Sequence, residues 1–596
     1  MEAHVEEDSK IEKTEQHLQI GDEQKRNGAL KPGQDLNGNG VLLEELEYQP
    51  SGWLEKTLTK SQDSAGKFFS KHSAIMKVIF LAVLNLGAWA FFIASYFHYS
   101  NELLAPRLEL CSGFGSLIAL FTIIYFFLIY FLVVKRFFGR WFEKKIWNKV
   151  EAFFGYLWKY SWFRWVFSIF LLAGIGVFLY IDTQGAPERL ISLLGLGILL
   201  LLGFVFSSSP GRVKWRTVTM GLLIQFVFGL LFIRWDSGRV ALQCFSDKVA
   251  TFLSYGVEGA AFTFGELLVR QEGVFAFSTL PVIFFFSMLV EVLFFWGALQ
   301  WFCLKLGRLL RAAAGSTVCE SVIAVGNVFL GNTESLLLVK PYLSILTPSE
   351  LHVLMGSGFA TVSGTILAAY IGFGASPAHL VTASVMSAPA AICYCKLLMP
   401  ETKRSLTAVD NIQPVTSSDQ SALAAATRGA TNGIALILNI IANLVAFISV
   451  IAFINGVLGY CGAMLGYEGF NLEWLFGKIF IPLCWVMGVP WEECERVGAL
   501  IGLKTVVNEF VAYQRMGEMK AEGLLSARAE LIATYSLCGF TNPSSAAIMI
   551  GAISAMAPNQ REPLSSLAVR AFFAGCGVCF MTACIAGLLM PEGSFG

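Results

Sequence analysis

The sequence predicts an all-α polytopic membrane protein built as an inverted repeat with two re-entrant helical hairpins. Three observations carry this expectation. Of the 596 residues 55% are hydrophobic and only 14% charged, and a mean hydropathy of +0.62 is far too high for a soluble chain of this length. Polar residues then interrupt apolar sequence in two places, AVGNVFLGNTESLLLVKPY (324–342) and ALIGLKTVVNEFVAYQ (499–514). Each is followed by a helix of small residues that breaks in its middle, GFATVSG (358–364) and GFTNPSS (539–545). Paired broken segments in corresponding halves point to a binding site near the bilayer midplane. Chance likeness between two Gly/Ala/Ser-rich helices is the competing explanation of that pattern.

The first polar stretch organises the rest. Asn327, Asn332, Thr333, Glu334 and Ser335 sit between Gly326, Gly331 and Pro341. A carboxylate in hydrocarbon costs roughly 2.5 to 3.5 kcal/mol even on lenient scales, so Glu334 is expected to face protein or a water-filled cavity. Irregular backbone at membrane depth is tolerated only where it is buried or lines a cavity. A re-entrant or broken helix that builds a binding site satisfies both conditions.

Residues 1–73 are rich in Glu, Lys, Gln and Gly and read as a disordered cytosolic tail. Acidic residues follow Met1 in place of the basic-then-apolar run of a signal peptide. Asp35, Asn37, Asn39 and Gly40 imitate a calcium loop, but its twelfth position is Leu46, which leaves a glycine-asparagine turn. Spans are expected at residues 75–97, 114–134, 166–181, 190–206 and 217–233, most of them long enough for a hydrocarbon core of about 30 Å. The loop after the second holds Lys135, Arg136, Arg140, Lys144, Lys145, Lys149, Lys159 and Arg164; that after the fourth holds Arg212, Lys214 and Arg216. The intervening loops offer little beyond Arg107 and Arg189. The positive-inside rule therefore places the N-terminus in the cytosol. Trp141, Trp147, Trp158, Trp162 and Trp165 suit an interfacial helix on the inner leaflet.

Residues 240–266 are too polar to span and are expected as a helix along the membrane surface. A strongly apolar span is expected over 275–304, then the polar stretch, then spans at 351–373 and 380–399 whose Gly, Ala, Ser and Thr favour close packing on protein neighbours. A polar loop fills 401–420. In the second half, spans are expected at 434–458 and 472–489, after which Lys504, Asn508, Glu509 and Tyr513 again lie in apolar surroundings. The thirteen cysteines are scattered through apolar runs as small hydrophobes, the lone CxxC of Cys576 and Cys579 included. Zero formal net charge gives no pointer to a nucleic-acid partner.

Six motifs carry a family resemblance: PGRVKWR at 210, GNVFLGNTESLLLVKPYL at 326, TASVMSAPA at 382, VNEFVAY at 507, CGFTNPSSAAIMIGAISAMAP at 538 and MTACIAG at 581. From about residue 75 to the end the chain resembles the concentrative nucleoside transporters in their animal form, with three extra N-terminal spans. The resemblance implies a plasma-membrane homotrimer in which each protomer has a scaffold domain and a mobile transport domain. It implies elevator-type transport of nucleoside with sodium, which is co-transported and no resident cofactor. The chain then divides into the tail (1–73), accessory spans (74–209), scaffold spans with the interfacial helix (210–304), first repeat (305–400), polar loop (401–420) and second repeat (421–596).

By the same resemblance Asn332, Thr333 and Glu334 read the nucleobase, with Ile366 and Phe540 against it, while Glu509, Asn542 and Ser545 hold the ribose. Sodium falls to Asn327, Thr361 and the carbonyls of Leu330 and Val362. Asn332 stands where many animal members carry Gln, and Pro543 and Ser544 where the break often reads differently. Gly331, Thr361 and Val362 resemble the broadly selective members, so purine and pyrimidine nucleosides are both expected.

The residue chemistry agrees without the family. Hydrogen bonds to a carboxylate are roughly twice as strong as neutral ones, which suits ribose hydroxyls. Asn332 with Glu334 offers a base edge both donor and acceptor, and an unwound helix supplies the oxygens sodium needs. One cation falling through 100 mV releases roughly 2.3 kcal/mol, against about 1.4 kcal/mol for tenfold accumulation of a neutral solute. A structural role for Glu334 and Glu509 at helix N-termini, and for Asn327 as a hydrogen bonder at a break, stays open on the sequence alone. So do proton coupling and a channel. An enzyme is not expected, since the sequence holds no GxSxG, HExxH or paired His motif.

Overall fold

The computed structural model describes residues 73–102, 111, 113–130, 161–407, 415, 417, 419–467 and 469–590. The expected tail, the part of the expected interfacial helix that carries Trp141, Trp147 and Trp158, and nine of the twenty residues of the polar loop lie outside these residues. Trp162 and Trp165, expected in that same interfacial helix, instead open the apolar helix Ser161–Asp182. Every regular element described is helical. The chain forms two compact units, up to Trp141 and from Phe142.

In the first unit α1 (Ser73–Glu102) and α2 (Gly113–Ile129) are apolar around their whole circumference, the pattern of a helix surrounded by apolar neighbours on every side. They are joined by aromatic contacts, Phe92 to Phe121 at 4.8 Å and Trp89 edge-on to Phe121 at 5.9 Å. One polar bond crosses the pair, from the Tyr125 hydroxyl to Asn85 Oδ1 at 3.0 Å. Both elements fall where hydropathy places spans.

The second unit opens with α3 (Ser161–Asp182), α4 (Leu190–Val205) and α5 (Trp215–Gly229), the last running into a π turn, Leu230–Arg234. Their ends are tied by a buried charge cluster. Arg189 donates to Asp182 Oδ2 at 2.6 Å and to the Leu588 carbonyl at 2.9 Å, and Arg234 pairs with the other Asp182 oxygen. A buried carboxylate is tolerable here because both of its oxygens are paired. Helix α6 (Asp236–Phe264) covers the stretch expected as a separate, more polar helix and buries one stripe that includes Leu242, Ser246, Leu253 and Ala260.

One expected span is corrected. Residues 275–304 do not form a single helix: a short turn (Phe275–Ser278) leads into α7 (Val282–Phe295), and Gly297 at φ 72° starts α8 (Ala298–Ala314). Only a residue without a Cβ enters that left-handed conformation readily. Beyond it the sequence turns amphipathic, with Cys303, Leu304, Gly307, Leu310 and Ala314 buried at helical spacing.

From α7 onward the same order of elements occurs twice. The first pass is α7, α8, then α9 (Val318–Phe329) with a 3₁₀ return arm (Ser335–Ile345), then α10 (Pro348–Ala360) broken before α11 (Gly364–Gly372), then α12 (Pro377–Leu398). The second is α13 (Ala422–Met464), α14 (Leu472–Met487), α15 (Cys494–Val506) broken before α16 (Glu509–Ala521), α17 (Ala527–Leu537) broken before α18 (Pro543–Met556), and α19 (Arg561–Leu589). Helix α13 is far longer than the 434–458 expected. Capping fixes the starts of the inner helices: Thr317 with Glu320 and Thr347 with Glu350 form capping boxes on α9 and α10.

The core lies around α10, α12 and α19. Every residue of α10 from Ser349 to Ala360 is buried. Small residues allow this, since a Cβ on Gly575 would lie 2.6 Å from Phe359 Cβ. Helix α13 behaves oppositely, with Ile434, Leu438, Val445 and Phe453 exposed. Its buried residues are the stripe of Ala425, Gly429, Gly433, Ile437 and Ile440, with Gly462 near its far end, and a Cβ on Gly429 would meet the Ser287 carbonyl of α7 at 2.6 Å. Seven helices among the described residues are long and apolar enough to cross a membrane. Eleven cysteines are free, while Cys111 and Cys244 are disulfide-bonded and depart from the expectation for the thirteen.

Candidate functional site

Four chain breaks converge. Residues 330–334, 361–363, 507–508 and 538–542 lie between helical arms, and a cavity of about 260 Å³ is lined by Gly331 to Glu334, Ser363, Ile366, Asn508 to Phe510, Phe540, Asn542, Ser544, Ser545 and Ile548. Its remaining wall is one face of α13: Leu436, Asn439, Ile440, Asn443 and Leu444. Backbone freed at helix breaks is here placed beside polar side chains and a cavity, as the membrane environment requires.

The second-repeat side is the more tightly built. Asn508 caps α16 by accepting the Val511 N–H at 3.0 Å, which puts Glu509 in the first helical turn. Asn542 caps α18 by accepting the Ser545 N–H at 2.8 Å, and its Nδ2 donates to Glu509 Oε2 at 2.6 Å. The two breaks are thus linked through side chains. Glu509 is 2% and Asn542 1% exposed, so the carboxylate is held by protein while lone pairs remain for hydroxyl donors. The N-terminal ends of α16 and α18 favour the negative charge.

On the first-repeat side Glu334 folds back on its own turn, its Oε2 accepting the Gly331 N–H at 3.0 Å. Ser335 Oγ donates to the Asn332 carbonyl at 3.1 Å and also to Asn327 Oδ1. Asn332, Thr333 and Glu334 line the cavity together with Ile366 and Phe540, and all three residues expected at the ribose line it as well. Every expected solute residue is therefore gathered around one space.

The four residues expected at sodium do not line that cavity. Asn327, Leu330, Thr361 and Val362 are buried to 2% exposure or less. Asn327 Nδ2 donates to Ser357 Oγ at 3.0 Å, and Thr361 Oγ1 donates to the Ser357 carbonyl at 2.9 Å. Ser357 therefore connects the first hairpin to the α10 break. This set offers neutral oxygens only, the ligand type a hard cation prefers.

Two residues singled out in the sequence serve elsewhere. Lys504 Nζ donates to the Ser536 carbonyl at 2.8 Å and Tyr513 to the Thr534 carbonyl at 2.8 Å. Both bond carbonyls in the last turn of α17, where helical partners run out; the Thr534 carbonyl also accepts the Cys538 N–H. Sequence reasoning missed Asn439 and Asn443, which it left inside an ordinary span. The signal was present, since Asn432, Asn439 and Asn443 recur at a spacing that keeps one face of an apolar helix. Asn443 Nδ2 donates to Ser544 Oγ at 3.2 Å, between two residues that line the cavity.

Fold and site define an inverted-repeat membrane carrier with a polar cavity between broken hairpins. Residues 194–267 and 379–587 match the Na+ dependent nucleoside transporter N-terminus and C-terminus families, and 276–377 match the nucleoside recognition (Gate) family. The chain is 38% identical to sodium/nucleoside cotransporter 1 of Oryctolagus cuniculus, over 95% of this chain and 87% of that one. It is 36% identical to sodium/nucleoside cotransporter 2 of Rattus norvegicus, over 98% and 90%. Among solved structures, CNTnw in an inward-facing substrate-bound state is similar with a TM-score of 0.64 and 36% identity, covering 67% of this chain and 98% of that one. The chain belongs to the Na+ dependent nucleoside transporter family, a family of transporters and not of enzymes.

Proposed function

We propose that this protein carries nucleosides, purine and pyrimidine alike, into the cell together with sodium. The observation that supports this most directly is the single cavity bounded by Glu334 from the first repeat and Glu509 from the second. Glu509, Asn542 and Ser545 take the ribose hydroxyls, and Asn332, Thr333 and Glu334 take the base edge between Ile366 and Phe540. Sodium is taken by Asn327, Thr361 and the carbonyls of Leu330 and Val362. The Ser357 link between Asn327 and Thr361 couples that site to the hairpin tip, so cation binding orders the turn that presents Glu334. One sodium suffices, at roughly 2.3 kcal/mol per 100 mV.

The broken helices move as a transport domain against α7 and α13, in an elevator-type cycle within a homotrimer at the plasma membrane. Supporting this division, α13 packs on α7 through glycines and meets the cavity through few polar groups. In terms of chain segments, 74–209 are accessory spans, 210–304 scaffold with α13 added, and 305–400 and 421–596 hold the hairpins and broken helices of the two passes, the first of which begins at α7. The basic residues near Arg212 support a cytosolic N-terminus.

Uptake of labelled uridine and inosine into cells expressing the protein, with sodium replaced by choline, tests this reading. Accumulation of both in sodium and its loss in choline is the expected result. Equal uptake in choline overturns sodium coupling, and nucleoside-independent single-channel currents overturn the carrier.

A further inference from the structure

A second cavity adjoins the first. It lies between α7, the first hairpin and the first turns of α13, has the same volume of about 260 Å³, and shares Thr333, Glu334 and Leu436 with the main cavity. Its most telling residue is Glu291, a carboxylate inside the apolar run VIFFFSMLVEVLFF of α7. Placing it there costs roughly 2.5 to 3.5 kcal/mol before compensation, so its retention calls for partners and a use.

The partners come from α13 and the residues before it. Arg428 Nη2 donates to Glu291 Oε2 at 2.9 Å and reaches Asp419 Oδ2 at 2.8 Å. Asn432 Nδ2 approaches Glu291 Oε1 at 3.3 Å. An ionised carboxylate has about four lone-pair sites, so both oxygens are oriented while acceptor capacity remains. A guanidinium at this distance opposes a metal cation but not a neutral solute that donates hydroxyl protons.

We propose that this cavity is a transit subsite for nucleoside on the release path; the proposal rests on the function assigned above. The chemistry of the main cavity recurs in it. Glu509, Asn542 and Phe540 of the main cavity are answered by Glu291, Asn432 and Phe294: a held carboxylate for ribose hydroxyls, a carboxamide beside it, and a phenyl wall for the base. Glu334 borders both spaces and its carboxylate bonds only the Gly331 N–H among the described residues, so a solute can exchange one set of acceptors for the next without crossing a purely apolar gap. The second cavity lies toward the end of α13 that follows residues 401–407, where Arg212 donates to the Thr402 carbonyl at 3.3 Å. That is the end of the Arg212–Arg216 basic cluster, the cytosolic side on the positive-inside rule.

The test is equilibrium binding of labelled uridine to the purified full-length protein in detergent with sodium. Two classes of site are expected, one tight and one at least tenfold weaker, summing to two uridines per protomer. Glu291→Leu is expected to remove the weak class and leave the tight one, which serves as its own check of folding. Glu291→Gln keeps the side-chain shape without leaving a cavity and is expected to weaken that class at least fivefold. Saturation at one uridine per protomer overturns the subsite alone, as does a weak class unchanged in Glu291→Gln. Failure of the wild-type protein to bind uridine at all overturns the assigned function and the subsite with it.

Discussion

Asn542 Nδ2 donates to Glu509 Oε2 at 2.6 Å while Asn542 Oδ1 accepts the Ser545 N–H at 2.8 Å. One carboxamide thereby caps α18 and fixes the carboxylate at the start of α16. The two breaks of the second repeat become one rigid surface, and the acceptor offered to the solute is already oriented before the solute arrives. Preorganisation of this kind reduces the ordering cost of binding.

Replacing that carboxylate separates charge from shape. A charged acceptor contributes about 1.5–3 kcal/mol against about 1 kcal/mol for a neutral one. Glu509→Gln is therefore expected to lower kcat/KM for uridine by about tenfold and Glu509→Ala by more than a hundredfold, with the elution of the purified protein unchanged. Wild-type uptake by Glu509→Ala would defeat the ribose assignment.

Much of this arrangement was legible in the sequence because membranes punish polarity. Glu334 and Glu509 stand out in apolar runs, and small residues with Asn542 and Pro543 mark where helices stop. What escaped depends on side-chain direction. Lys504 and Glu509 look equally anomalous in sequence, yet one caps a helix end and the other lines the cavity. The 275–304 run looks like one span because the residues immediately flanking Gly297, 292–299, are apolar, and only its left-handed backbone separates α7 from α8. Asn439 and Asn443 were hidden by the strong apolar signal around them.

Asn327 distinguishes an ion ligand from a structural bond. Its carboxamide is engaged by Ser357 and Ser335, so a purely structural role predicts that Asn327→Ala lowers the melting temperature with sodium dependence intact. The ligand role predicts a half-saturating sodium concentration raised about tenfold or more, about 1.4 kcal/mol of lost cation binding. The second outcome is expected, read from uridine uptake across a sodium titration at fixed ionic strength.

Asn443 reaches from α13 to Ser544 at 3.2 Å, beside the cap that positions Glu509. Asn443→Leu loses a bond contributing about 1 kcal/mol and is expected to raise KM for uridine about fivefold, with a smaller effect on melting. Ser544→Ala removes the same bond from the other side. If the bond is what matters, the double variant resembles either single one; additive effects of the two substitutions would show that each acts elsewhere.

Gly539 marks a close backbone approach between the two repeats at the site. Its φ of 151° and the 2.6 Å that would separate an added Cβ from the Phe359 carbonyl show the 538–542 break pressed against the end of α10. Thr361, of the proposed sodium set, follows that end, and Asn542, of the ribose set, follows Gly539. An alanine there forces both backbone strain and separation, of order 1–3 kcal/mol. Gly539→Ala is therefore expected to lower the melting temperature and to weaken sodium and uridine dependence together. Gly551→Ala is the matched control, since a Cβ on Gly551 of α18 meets nothing within 4 Å and alanine favours the helix by up to about 1 kcal/mol. A Gly539→Ala protein with normal sodium and uridine dependence would show that the close approach of the two breaks is packing alone, with no part in coupling ion to solute.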